Sequence, residues 1–164
     1  MDQLASLLLR VERLEAERDV VRTIARYAEA IDYGLDAQWV DCFTADGVFE
    51  VRPRGGRSFQ VAGRKALGRF IAGHTKAPSR WHKHLVTQQV VEVVEAAASA
   101  QSYILRVDED DDGQAKIWVF GRYLDRLVRE ADGRWRFRHR TIELEGAQPA
   151  AWAPLRDDQA YTTP

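Results

Sequence analysis

Residues 81–94 read WHKHLVTQQVVEVV, and the fold of the whole chain turns on how this stretch is taken. Its β-branched residues follow no three- or four-residue repeat and run too long between breakers for a loop, so it is a long strand. Three further strand runs follow: Ser99–Val107, Lys116–Val128 and Arg134–Leu144. Glu95-Ala96-Ala97, Asp108–Gly113 and Ala131-Asp132-Gly133 separate them as turns, which predicts antiparallel hairpins.

Working outward from this meander, the upstream half is mainly helical. Leu4, Leu7, Leu8, Val11 and Leu14 recur at helical spacing, and the pattern continues through Val20, Val21, Ile24, Ala25, Ala28 and Ile31. Gly34 is a C-terminal stop. One helix, or two jointed near Glu17-Arg18-Asp19, is expected. A short helix over Ala37–Phe43 ends at Ala45-Asp46-Gly47. Strands at Val48–Val51 and Ser58–Val61 flank the turn Pro53–Gly56, and a third helix spans Gly63–His74. Helices first and a long meander last predict an α+β domain whose curved antiparallel sheet wraps three helices. Such a sheet leaves an apolar pocket between its concave face and the first helix.

The chain has 164 residues, enough for one domain, here 1–146, with a tail over 147–164 that is partly ordered or covers the pocket. It is 45% hydrophobic and 30% charged, which excludes wholesale disorder. Lys plus Arg number 24 against 25 Asp plus Glu, so no basic field points to nucleic acid or an anionic membrane. A single cysteine, Cys42, rules out an internal disulfide and multi-cysteine zinc sites. An acid near the start and a short apolar run there argue against a signal peptide, so a cytoplasmic protein is expected. Nucleophile-elbow, phosphate-loop and dinucleotide motifs are missing, which leaves cofactor-free chemistry as the enzyme reading. Cys42, between apolar neighbours, is expected in the core.

Asp32 carries the strongest chemical signal. It falls on the row Val21, Ala25, Ala28, Asp32, while Tyr27 lies on the row Val20, Ile24, Tyr27, Ile31. Both polar groups flank an apolar stripe. Asp32 also faces the negative end of the helix dipole, an unfavourable place for a carboxylate without a purpose. His82 and His84 alternate on one strand face with Val86, Gln88 and Val90, and an imidazole there can take and return a proton near neutral pH. Two imidazoles could also chelate a metal, but the third ligand, Asp32 or His74, is not singled out by spacing, so no metal is expected. The run Asp108–Gly113 resembles a calcium loop but has Val119 where a bidentate Glu belongs, and reads as a solvated hairpin. Arg134, Arg136, Arg138 and Arg140 alternate with Trp135, Phe137 and His139, predicting a basic outer and an aromatic inner face.

Three segments carry a family resemblance. They are Arg13 to Phe49, His82-Lys83-His84-Leu85-Val86, and Arg126 to Phe137, which ends Asp132-Gly133-Arg134-Trp135-Arg136-Phe137. Together they resemble the SnoaL-like families of the nuclear transport factor 2-like superfamily over roughly residues 10–145. The resemblance implies a cone-shaped sheet with its pocket inside the mouth. Similarity to the dehydratase-like branch (scytalone dehydratase, bile-acid 7α-dehydratase) implies catalytic Tyr27, Asp32 and His84. It also points to Asp108 as a further acid and Arg140 as the inward arginine.

The expected activity is a cofactor-independent dehydratase acting on a hydrophobic hydroxy-carbonyl compound (steroid-like, polyketide-like or aromatic). An isomerase or polyketide cyclase would use the same groups. Expected substrate contacts are Trp39, Phe49, Phe70, Trp81, His82, Val86, Tyr103 and Arg140, with Trp152 over the mouth. The ending also resembles dioxygenase β subunits, which makes a non-catalytic binding or accessory subunit the rival. The Leu4–Leu14 stripe implies a homo-oligomer, a dimer or trimer, in either case.

Overall fold

A computed structural model describes residues 3–146; the expected tail and Trp152 lie outside the described residues. The elements are α1 (Gln3–Tyr33), α2 (Asp36–Asp41), β1 (Phe43–Pro53), β2 (Phe59–Ala62), α3 (Arg64–Ala72), β3 (His82–Val94), β4 (Ala97–Glu109), β5 (Ala115–Arg129) and β6 (Trp135–Leu144). α1 is a single unbroken helix, without a joint at Glu17-Arg18-Asp19. No helix among the described residues is long and apolar enough to cross a membrane.

The six strands form one sheet in the order β2-β1-β6-β5-β4-β3. The meander β3 to β6 is antiparallel throughout, but β1 runs parallel to β6, so the sheet is mixed rather than purely antiparallel. A hairpin cannot make that parallel pair. It forms because α3 and the whole meander intervene between the two strands in sequence. The residues expected to close the second helix, Ala45-Asp46-Gly47, lie instead inside β1, where its register on β6 shifts between Phe43 and Val48.

Curvature comes from irregularities. One extra residue on β3 between Thr87 and Val90, one on β5 at Trp118 and one on β6 at Arg138 bend the sheet at three places. β5 and β6 approach so closely at Gly121 that a Cβ there would collide with the main-chain oxygen of Glu143. The concave face holds the core, built on Val20, Ile24, Tyr27 and Ile31 of α1, Trp39, Phe43 and Phe49, and Ile104, Tyr123, Leu127 and Phe137 of the meander. Cys42 belongs to it, and burial pushes its thiol up to about 11, so it is an inert core residue.

These bulges also reset which residues face inward. Beyond Gln88, whose φ is 48°, Val91 and Val93 turn toward the core while Val90 is exposed, so the row His82, His84, Val86, Gln88, Val90 does not stay on one face. Arg138 as the extra residue puts Arg140, rather than His139, inside with Phe137. The basic stripe of β6 is therefore not uniformly solvated. Arg136 is buried against Asp41, Glu130 and Asp132, and Arg140 is fully buried.

Candidate active site

Asp32 sits in the last turn of α1, which packs along β3. Its carboxylate is 4% exposed and receives two donors from one residue: the main-chain N–H of His84 at 3.1 Å and the His84 ring Nδ1 at 2.6 Å. A carboxylate can only accept, so Nδ1 carries the proton and Nε2 is the basic nitrogen of His84. Burial lowers the His84 pKa below the ordinary imidazole value and Asp32 opposes that shift. The ring is thus neutral at pH 7 and available as a base.

His82, two residues earlier on the same face, is also buried. Its Nε2 lies 3.4 Å from Asp32 Oδ1, but neither ring nitrogen has an aligned hydrogen-bond partner. Burial first, then Arg106, lowers its pKa to about 4. His74, just past α3, meets His82 edge to face with ring centres 5.3 Å apart and donates to Thr75 O at 2.6 Å; burial lowers it to about 3.

β4 closes the cluster from the far side. Across the β3–β4 ladder His82 pairs with Asp108 and His84 with Arg106, which puts all four side chains on the concave face. Arg106 donates from Nε and Nη2 to Asp108 at 2.6 and 2.8 Å, and its guanidinium stacks 4.4 Å over Trp118. Asp108 is therefore 4% exposed and part of the ladder, not of the solvated hairpin. The hairpin proper is held by Asp110, whose carboxylate accepts from the N–H groups of Asp112 and Gln114.

Tyr27 belongs to a second buried cluster further along the cone. The Arg140 guanidinium lies 4.1 Å over the Tyr27 ring, 3.7 Å over Tyr123 and 4.3 Å over Phe137. Its Nε is 3.1 Å from Asp125 Oδ1, an ion pair with both side chains wholly buried but without aligned hydrogen bonds. Burial raises Asp125 to about 6 and Tyr123 to about 12, and holds Tyr27 well above the ordinary tyrosine value. Tyr27 is thus a permanent O–H donor rather than a base.

The remaining expected contacts divide. Trp39 and Phe49 are buried and Phe70 packs on them, with Trp39 and Phe70 stacked at 5.9 Å. Val86 is half-buried. Trp81 and Tyr103 do not face the interior. They are 49% and 52% exposed, because strand alternation places them opposite His82 and Ile104. A groove of about 650 Å³ also lies on that outer face, among Arg52, Glu92, Gln101, Arg126 and His139.

Asp32, His82 and His84 bring ligand atoms within 4.8 Å of one another and are, among the described residues, the set that could hold a divalent cation. His84 Nδ1 is already committed to Asp32. The sequence reading missed Arg106, Tyr123 and Asp125, and considered His74 only as a metal ligand. Counting back from the Glu95-Ala96 turn would have placed Val107 opposite His84; the extra residue on β3 brings Arg106 there instead.

The model of the SnoaL-like domain matches residues 12–141, most of the chain. The chain belongs to the SnoaL-like domain family. Among solved structures, this SnoaL-like domain is similar to an NTF2-like protein with a cystatin-like fold from Novosphingobium aromaticivorans, at 24% identity over 96% of this chain and 99% of that one, TM-score 0.76. It is also similar to the β subunit assigned to an aromatic-ring-hydroxylating dioxygenase of the same organism, at 22% identity over 85% and 95%, TM-score 0.72. A Catenulispora acidiphila protein solved in complex with S-DNPA matches at 29% identity over 80% and 93%, TM-score 0.64. No curated protein matches the sequence significantly. The NTF2-like fold anticipated from the sequence is therefore the fold of this domain.

Proposed function

We propose that this SnoaL-like domain is a cofactor-independent dehydratase for a hydrophobic, ring-bearing hydroxy-carbonyl compound. The observation that carries this reading is the buried Asp32 carboxylate 2.6 Å from His84 Nδ1. It fixes the tautomer and aims Nε2 as a base, the orienting role a carboxylate plays in a catalytic triad. His84 Nε2 takes the proton next to the carbonyl, and the C–H pair becomes the new C=C bond. The β-hydroxyl leaves with its bonding pair and is protonated to water. Tyr27, held as the phenol by burial, donates to the carbonyl oxygen or the departing hydroxyl. The same groups suit a double-bond isomerase or a polyketide cyclase, both of which also need a proton moved at carbon. A small organic ligand agrees with the S-DNPA complex of the Catenulispora relative.

The likeness to a dioxygenase β subunit supports a second reading, a non-catalytic accessory subunit. One experiment separates them. The protein is incubated in D₂O with a panel of cyclic β-hydroxyketones, and α-deuteration and loss of water are followed by NMR. Turnover by the wild type that falls about 10²–10⁴-fold in His84→Ala supports the dehydratase. A wild type inert to the whole panel, or a His84→Ala protein at wild-type rate, overturns it.

A further inference from the structure

Asp32 carries a buried charge that no cation answers. Among the described residues its carboxylate meets two imidazoles and one main-chain N–H, with no Lys or Arg at ion-pair distance. Arg106, across the ladder, spends its Nε and Nη2 on Asp108. A carboxylate taken out of water is costly to hold unless a positive charge joins it. Beside it stands a second buried cost. The His82 side chain is wholly buried, and neither of its ring nitrogens is hydrogen-bonded. A neutral imidazole keeps one nitrogen lone pair, so His82 brings an unused donor of electrons to an unmatched negative charge. A metal cation answers both.

The geometry agrees. Asp32 Oδ1 is 3.4 Å from His82 Nε2 and 2.6 Å from His84 Nδ1, while Oδ2 accepts the His84 main-chain N–H at 3.1 Å. One oxygen is anchored to the backbone, and the other is presented to both rings, the orientation an outer-shell hydrogen bond gives a metal ligand. Two ligand atoms on one tetrahedral zinc ion, with bonds of about 2.0–2.1 Å, stand roughly 3.3 Å apart. The Oδ1–His82 separation has that length already, and it is not aligned as a hydrogen bond. The Oδ1–His84 separation is that of a hydrogen bond and has to open by roughly 0.7 Å when an ion replaces the proton. All three ligand atoms lie within 4.8 Å of one another, on the last turn of α1 and the start of β3. Spacing in the sequence singles out no third ligand for the two histidines, whereas the packing of α1 on β3 does.

We propose that Asp32, His82 and His84 bind one divalent first-row transition-metal ion of the zinc type, and that this ion switches the site off. Two imidazoles and a carboxylate suit such an ion, whereas Mg²⁺ and Ca²⁺ take oxygen ligands. Solvent completes the fourth position. Binding changes the tautomer of His84. The ion takes the Nδ1 lone pair, so the ring carries its proton on Nε2 instead, and no proton is gained or lost overall. Nε2, the nitrogen aimed as a base, becomes a donor and no longer takes a proton from carbon. This switching step rests on the reading of His84 as the base; the metal site does not.

Titration of the full chain with Co²⁺, followed by visible absorption, tests the site without a substrate. One ion binds per chain at micromolar concentration with the bands of a four-coordinate complex. Zn²⁺ displaces it and millimolar Mg²⁺ does not. His82→Gln keeps the wild-type near-ultraviolet circular dichroism and loses about tenfold or more in Zn²⁺ affinity. Nitrogen–proton correlation NMR of the wild type finds the His84 proton on Nδ1 without metal and on Nε2 with Zn²⁺. That readout decides the matter even where the variant fails to fold. Absence of saturable binding, Zn²⁺ affinity unchanged in a folded His82→Gln, or a His84 proton that stays on Nδ1 in the Zn²⁺ complex overturns the metal site. Zn²⁺ also stops the α-deuteration of β-hydroxyketones. Zn²⁺ that moves the proton to Nε2 while α-deuteration continues at its metal-free rate keeps the metal site and overturns His84 as the base.

Discussion

Two buried polar clusters share the concave face, and they are held in different ways. Around Asp32 the charges are met by directed hydrogen bonds: His84 donates twice to Asp32, and Arg106 twice to Asp108. Around Arg140 they are met by stacking: three aromatic rings surround the guanidinium, and Asp125 touches it without hydrogen-bond alignment. Directed bonds fix tautomer and angle, which proton transfer requires. Ring faces and a buried counter-ion hold a charge in place without orienting it, and they make its removal costly.

The sharpest way to break this contrast is Arg140→Met. It strands Asp125 in the core and is expected to cost about 3–5 kcal/mol in urea unfolding at pH 7. Adding Asp125→Leu should recover most of that loss. A single variant costing under about 1 kcal/mol would mean the ion pair is not what the rings enclose.

Asp32→Asn should cost less, about 1 kcal/mol, since the amide oxygen can still accept the His84 main-chain N–H and only the ring bond is weakened. Removing the charge also removes what opposes the lowering of the His84 pKa, so that pKa should fall further in an NMR titration. A loss of about 3 kcal/mol or more would make Asp32 a structural acceptor equal in weight to Arg140, and would weaken the case for His84 as an oriented base.

The smallest effect is one of pH, and the two clusters should differ in sign. His82 is lowered from 6.5 to about 4 by burial. Between those values the unfolded chain binds a proton that the folded chain does not, so stability falls as pH falls through this window. Asp125 is raised from 3.8 to about 6, so between those values the folded chain keeps a proton that the unfolded chain releases, and its contribution to stability is lost as pH rises. Unfolding curves from pH 7 to 4.5 should therefore flatten in His82→Gln and steepen in Asp125→Asn, each by less than about 1.4 kcal/mol per pH unit. Parallel curves for wild type and both variants would remove the distinction.

The Asp32 cluster was largely legible in the sequence, whereas the Arg140 cluster was not. Asp32 interrupts an apolar helix stripe, and His82 and His84 open a strand whose alternation is regular at that end, so local period was enough to aim them. Asp108 was misplaced because the hairpin turn starts two residues later than its run of acids suggests: β4 continues to Glu109. Arg140 depends on the extra residue at Arg138, and Asp125 acquires its partner only through the β5–β6 register. No local pattern marks that bulge.

Periodicity by itself determined the element order, the meander, the apolar core faces and the direction of the site-bearing residues, because each follows from side-chain geometry within one element. Only the tertiary structure decided the parallel β1–β6 pair, the points where bulges exchange inner and outer faces, and the pairing of Asp125 with Arg140. These depend on contacts between distant segments, whose registers settle when the whole concave core closes and not one strand at a time.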